Sequence, residues 1–204
     1  MTFYQGKFRL ELSETWGILE TNPGNGLTDL NVMGMNYVEM KDGIYFPKRA
    51  KWIPGTSLKG SLRHVAITLD PNSCGQVHTS EGRPKCTRNI RCKVCSIFGN
   101  YNSEGKLRIS SEFIEDGNTV IQPHLTVKRS NKSASTGGLF HTEKMSPSNF
   151  TIDIEARDLT EDELKLIRAS LKIWGNFGIG RNHKMFTVVP VEELSKVKKE
   201  EYFS

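Results

Sequence analysis

Apolar and charged residues alternate across residues 6–19. Phe8, Leu10 and Leu12 fall on one side of an extended chain and Lys7, Arg9 and Glu11 on the other. A period of two sets one face against a core and predicts a half-buried strand. Residues 149–156 repeat the pattern, with Phe150, Ile152 and Ile154 in phase, and another strand is predicted at about Leu107–Ile114. Elsewhere the spacing is helical. One helix is predicted from about Ser57 to Asp70-Pro71, where the proline stops it. A second opens at Thr160-Glu-Asp-Glu163, the spacing of a capping box. Leu164, Ile167, Leu171 and Trp174 then give it a buried stripe, and Gly175 is its expected end. Lys184–Val189 reads as a last strand, and Glu192–Ser204 as a charged, frayed tail.

Three stretches lack either period. Residues 21–51 carry six Gly or Pro and read as a long loop, a length that inside a domain usually marks function or disorder. Residues 72–100 form a cysteine-bearing insertion, and residues 119–148 are polar and predict a hairpin or flexible excursion. Without them the order is strand, helix, strand, strand, helix, strand. That is the βαββαβ pattern of an α+β, ferredoxin-like (RRM-like) fold, here one domain of 204 residues with long insertions.

Composition narrows the partners. At 36% hydrophobic content, no apolar run approaches the length of a membrane span and no signal-peptide pattern opens the chain, so a soluble, cytoplasmic protein is expected. The net charge of +5 is unevenly spread: residues 41–95 hold eleven Lys or Arg against three Asp or Glu, and residues 151–204 hold nine against ten. One basic lobe on a balanced protein fits a polyanion.

All four cysteines, Cys74, Cys86, Cys92 and Cys95, fall within 22 residues. Cys92-Lys-Val-Cys95 is a pair able to grip one metal ion from a tight turn. Cys86 lies upstream, and Cys74 or His78 can complete the set. Four soft ligands with no open position describe a structural Zn2+ that staples an insertion too small to form its own core. No zincin motif points to catalytic zinc, and His64 reads as a core or surface histidine.

Two glycine-rich segments remain. In Trp52-Ile-Pro-Gly-Thr-Ser-Leu-Lys-Gly-Ser-Leu-Arg63 a turn runs into a helix start that Thr56 or Ser57 can cap, and Lys59 and Arg63 follow four residues apart. Free N–H groups at a helix start with two cations on the next turn form a phosphate site. Gly175-Asn-Phe-Gly-Ile-Gly-Arg181 follows a helix and precedes a strand. A dinucleotide fingerprint needs the reverse context, so Gly178, Gly180 and Arg181 read instead as a turn for close backbone approach.

Four blocks in order carry a family resemblance. They are Ile53-Pro-Gly-Thr-Ser-Leu-Lys-Gly60, Cys92-x-x-Cys95-Ser-Ile-Phe-Gly99, Arg129…Ala134…Gly138-Leu-Phe140-His-Thr-Glu143, and Gly175–Arg181. Together they resemble the RAMP superfamily, and within it the repeating, Csm-like backbone subunit of type III CRISPR effector complexes. The resemblance implies a subunit that binds CRISPR RNA, contacts its duplex with target RNA, and adjoins other subunits, copies of itself included, away from any membrane. It also implies a thumb at about Thr126–Gly138, where Lys128, Arg129 and Lys132 suit phosphates. Guide recognition would then go through shape and backbone, with sequence read by base pairing.

In cleaving subunits of that kind an aspartate in the loop before the Ile-Pro-Gly block cuts the target. Here the corresponding register, Gly34-Met-Asn-Tyr-Val-Glu-Met-Lys-Asp42, offers Asn36. Asparagine neither takes a proton from a 2′-hydroxyl nor holds a divalent metal with a full charge, which argues against cleavage. Asp29 is the leading alternative carboxylate for a metal-dependent endoribonuclease, which would use Mg2+ or Mn2+, with Glu39 and Asp42 behind it. A CRISPR-RNA processing endoribonuclease of the same superfamily is a further reading, with His183 or Lys184 as its catalytic group. His141 and Glu143 lie two apart but have no nucleophile upstream, so a structural role is expected.

Overall fold

The computed structural model describes all residues except 17–18, 22–29, 33, 42, 75–85, 87–90, 101–102, 115–117, 128–133, 180–184 and 198–204. It is a mixed α+β structure, rich in sheet and with few helices.

The first alternating segment forms β1 (Phe3–Leu12), which buries Phe8, Leu10 and Leu12. Its partner β12 (Ser148–Arg157) buries Phe150, Ile152 and Ile154 on the same side, and Phe8 stands opposite Ile152 in an antiparallel register. On the other flank β1 pairs antiparallel with β13 (Thr187–Val197), and β12 pairs with β8 (Leu107–Ile109). The sheet therefore runs β13-β1-β12-β8. Helices α1 (Gly55–Leu69) and α3 (Glu161–Phe177) pack against each other and close its apolar face. Leu58, Leu62 and Val65 of α1 and the expected stripe Leu164, Ile167, Leu171 and Trp174 of α3 join the strand residues in one core. The capping box is present, with both Thr160–Glu163 hydrogen bonds made.

Several expectations are corrected. Residues 21–51 hold strands as well as connections. β2 (Leu19–Thr21) and β3 (Leu30–Val32) pair with each other, and β4 (Gly34–Lys41) and β5 (Ile44–Ile53) form a hairpin around Gly43, whose φ is 78°. The hairpin escapes a period-two reading because solvent reaches both faces near its tip, where Val38, Met40 and Lys41 are all exposed. Pro47 is tolerated because β5 meets a second neighbour, β9 (Glu112–Ile114), only at Lys51–Ile53.

The strand expected at Leu107–Ile114 is two, β8 and β9 (Glu112–Ile114), in different sheets. Ser110 and Ser111 make the break, their hydroxyls accepting the N–H groups of Asp153 and Gly55. Gly175 does not end α3; it is buried within the helix, where a Cβ would lie 1.9 Å from the Phe186 carbonyl. The stop is Gly178, at φ 75°. The last strand starts later and runs on to Val197, because pairing with β1 orders residues that looked like a frayed tail.

Residues 119–148 form the hairpin of β10 (Thr119–Val127) and β11 (Ala134–Met145), which β3 joins by pairing with β11. The cysteine segment contributes α2 (Lys93–Phe98), followed by the short pair β6 (Gly99–Asn100) and β7 (Ser103–Glu104). Among the described residues no helix is long and apolar enough to cross a membrane.

Candidate metal centre and nucleic-acid interface

Cys92 is the N-cap of α2. Its sulfur accepts the Cys95 N–H at 3.4 Å, and its own N–H donates to Cys86 Sγ at 3.4 Å. The Cys92 N–H bond lowers the Cys86 pKa, but burial and then the neighbouring Cys74 and Cys92 thiols outweigh it and leave that pKa raised. Cys74 Sγ lies 3.4 Å from Cys95 Sγ, and the four sulfurs all lie within 4.8 Å of one another. A tetrahedron of Zn–S bonds about 2.3 Å long has edges of about 3.8 Å, so four free thiols at these separations fit a closed four-cysteine site. They could hold a metal ion, and the set is compatible with structural zinc. Burial first, then hydrogen bonding with Cys74 and Cys92, pushes the Cys95 thiol well above its usual range, so a metal must displace that proton to bind. Cys74 joins the set; His78, its alternative, lies outside the described residues.

The start of α1 differs from expectation. Pro54 is the N-cap and no side chain caps the helix, so neither Thr56 nor Ser57 serves that role. The Gly55 N–H is taken by Ser111 Oγ at 3.0 Å, and the N–H groups of Ser57 and Leu58 both turn back to the Pro54 carbonyl. The partner of the Gly55 N–H comes from a distant segment because the helix start is pressed against the end of β8. A Cβ on Gly55 would sit 2.0 Å from the Ile109 carbonyl oxygen. Thr56 and Gly60 remain exposed one turn apart, and nothing lies within 4 Å of a Cβ built on Gly60.

The two glycine-rich segments meet at Ser61. Its hydroxyl donates to the Gly178 carbonyl at 3.0 Å and accepts from Trp174 Nε1 at 2.9 Å. Farther along the same helix His64 is exposed and meets the Phe177 ring edge-on. Gly180, Arg181, His183 and Lys184 lie outside the described residues.

Lys59 is half-buried, and burial lowers its pKa; Glu104 opposes that effect, while Arg108 and Arg63 add to it. Glu104 is itself held low, first by its 2.8 Å hydrogen bond from Arg108 and then by Arg157 and Lys59. Arg108 and Arg157 therefore belong to this charged group, although sequence reasoning missed both. The alternation Leu107-Arg108-Ile109 marks Arg108 as outward-facing, but its nearness to Lys59 depends on β8 lying beside α1. Arg63 has different partners: Nη1 donates to the Gly99 carbonyl at 2.5 Å and Nη2 to Cys95 Sγ at 3.5 Å.

Lys128, Arg129 and Lys132 lie outside the described residues, between the two strands of the β10–β11 hairpin. Asp29 and Asp42 lie outside them too. Asn36 falls within β4, opposite Arg49 in register, and Glu39 is half-buried on the same strand. Glu143 accepts from Lys51 Nζ at 2.6 Å, an ion pair that ties β11 to β5 and is the kind of structural role expected of it.

The family model of the RAMP superfamily matches residues 47–183. No curated protein matches the chain.

Proposed function

We propose that this chain, which belongs to the RAMP superfamily, binds CRISPR RNA as a backbone-type (Csm-like) subunit of a type III interference complex. The superfamily includes CRISPR-associated proteins. The observation that carries the reading is the hydroxyl of Ser61, one residue past the Ile53–Gly60 block on α1, which donates to Gly178, the C-cap of α3, across 117 residues of sequence. The exposed, unobstructed Gly60 allows a sugar–phosphate backbone to approach α1, and Lys59 and Arg108 supply charge beside it. Thr56 and Ser57 offer hydroxyls at the same helix start, and Gly178 leads into Gly180 and Arg181. Lys128, Arg129 and Lys132 would serve as thumb contacts to the guide–target duplex.

The strand order β13-β1-β12-β8, with α1 and α3 on one face, supports a ferredoxin-like reading of the core. That core would make one domain carrying a zinc-stapled insertion. The β4–β5 hairpin exposes Val38, Met40, Ile44 and Tyr45, a surface suited to a neighbouring subunit.

The test is RNA binding by fluorescence anisotropy across a salt series. Lys59→Ala is expected to weaken binding of single-stranded guide RNA and to flatten the slope of log K against log salt by about 0.7, one phosphate contact. Unchanged affinity and slope would remove α1 from the interface.

A further inference from the structure

Arg63 stands where a phosphate-binding cation was expected, yet its guanidinium is turned to the cysteine cluster. One nitrogen donates to Cys95 Sγ at 3.5 Å and another to the Gly99 carbonyl at 2.5 Å. The two acceptors sit at defined points of α2. Cys95 is a prospective metal ligand whose N–H is already held by Cys92 Sγ, and Gly99 is the C-cap, its N–H donating to the Cys95 carbonyl. The Gly99 backbone is fixed as well, since φ is 88° and a Cβ there would meet Gly105 N at 2.8 Å. A single side chain from α1 thus reaches both a ligand sulfur and the carbonyl end of the helix that carries it.

Electrostatics gives the contact a purpose. Four thiolates around a divalent ion leave a net charge of about −2. Here two of the sulfurs belong to buried residues, Cys86 and Cys95. Charge held out of water is costly unless a counter-charge or hydrogen-bond donors meet it. A guanidinium supplies both and stays charged at any physiological pH. It also suits the C-terminal end of a helix, where unpaired carbonyls point outward.

We infer that Arg63 is a positioning residue of the metal centre, offsetting the charge of the cysteine cluster and fastening α1 to it. The inference rests on the reading of the cluster as a zinc site. It gives the Ile53–Arg63 segment two jobs: Thr56 and Gly60 face outward from its first turn, and Arg63 on the next turn anchors the insertion.

The experiment compares the full-length wild type with Arg63→Met, which keeps most of the stem's packing, and Arg63→Lys, which keeps the charge without the fork. Zinc content is measured first by elemental analysis, and affinity then by competition with a chromophoric chelator. The Co2+-loaded forms give the thiolate-to-metal charge-transfer band. Arg63→Met is expected to bind zinc about 10–100-fold more weakly, with Arg63→Lys between it and the wild type, and to shift the cobalt band. Equal zinc affinity and an unmoved band in both variants would overturn the inference while leaving the zinc site intact. Zinc well below one equivalent in the wild type would instead overturn the zinc reading, and the inference with it. If Arg63→Met fails to fold, the lysine variant decides: wild-type affinity with an unmoved band counts against the assignment, and weakened binding with a shifted band supports it.

Discussion

Gly55, Gly60 and Gly175 look alike in sequence and do different things. Gly55 and Gly175 are places where another backbone passes, since a Cβ there would lie 2.0 and 1.9 Å from the carbonyl oxygens of Ile109 and Phe186. Gly60 faces open space. Gly55→Ala is therefore expected to destabilise the fold by about 1–3 kcal/mol, measured by urea unfolding, through the strain of overpacking. Gly60→Ala should do the opposite, raising stability by about 0.5–1 kcal/mol through helix propensity, yet weaken RNA binding if a phosphate backbone rests there. A stabilised variant with unchanged RNA affinity would mean that nothing approaches this turn. Among the side chains, the cysteine cluster was legible because soft ligands at short spacing carry their own signature. The inward turn of Arg63 was not, because its acceptors Cys95 and Gly99 lie 32 and 36 residues away and meet it only through tertiary packing.

Elements with one buried face carried the clearest signal. α3 shows why: an acidic first turn, a capping box and a clean apolar stripe all point the same way. Its Glu163 also bonds to Lys106 Nζ at 2.7 Å. Burial, the largest single influence, raises the Glu163 pKa, but the bonds from Lys106, Ser96 and the Thr160 N–H together outweigh it and leave the value lowered. A carboxyl more acidic when folded contributes stability that is full above its unfolded value, about 4.3, and is lost as pH falls through the folded value. Glu163→Gln should consequently be less stable than the wild type at pH 7, and the difference should shrink below about pH 4. Parallel stability-against-pH curves would contradict this. The tip of the β4–β5 hairpin carried no such signal, since Val38, Met40 and Lys41 are all exposed there and solvent on both sides imposes no alternation.

For the whole molecule, the helix pair over the sheet and the cysteine cluster are linked. α2, which carries Cys95 and is capped by Cys92, touches both α1 and α3, the pair that closes the core. If the cluster holds zinc as proposed, chelation is expected to lower the thermal midpoint by several degrees, and acid to weaken the binding because protons compete for the thiolates. A midpoint unmoved by chelation, with zinc shown to have left, would make the cluster dispensable to the fold. Membership of the RAMP superfamily was legible from four short blocks, because each depends on local chemistry: a turn into a helix, a cysteine pair, a hairpin flank, a glycine-rich turn. Local periodicity likewise determined the two long helices and the central strands, where one face is buried and the other wet. Only the tertiary structure decided which backbones need glycine to pass, that Ser111 rather than Thr56 or Ser57 serves the first N–H of α1, and that Arg108 stands with Lys59 while Arg63 turns to Cys95. Those outcomes hang on contacts between residues far apart in sequence, and no local pattern encodes the partner of a donor before the chain has folded around it.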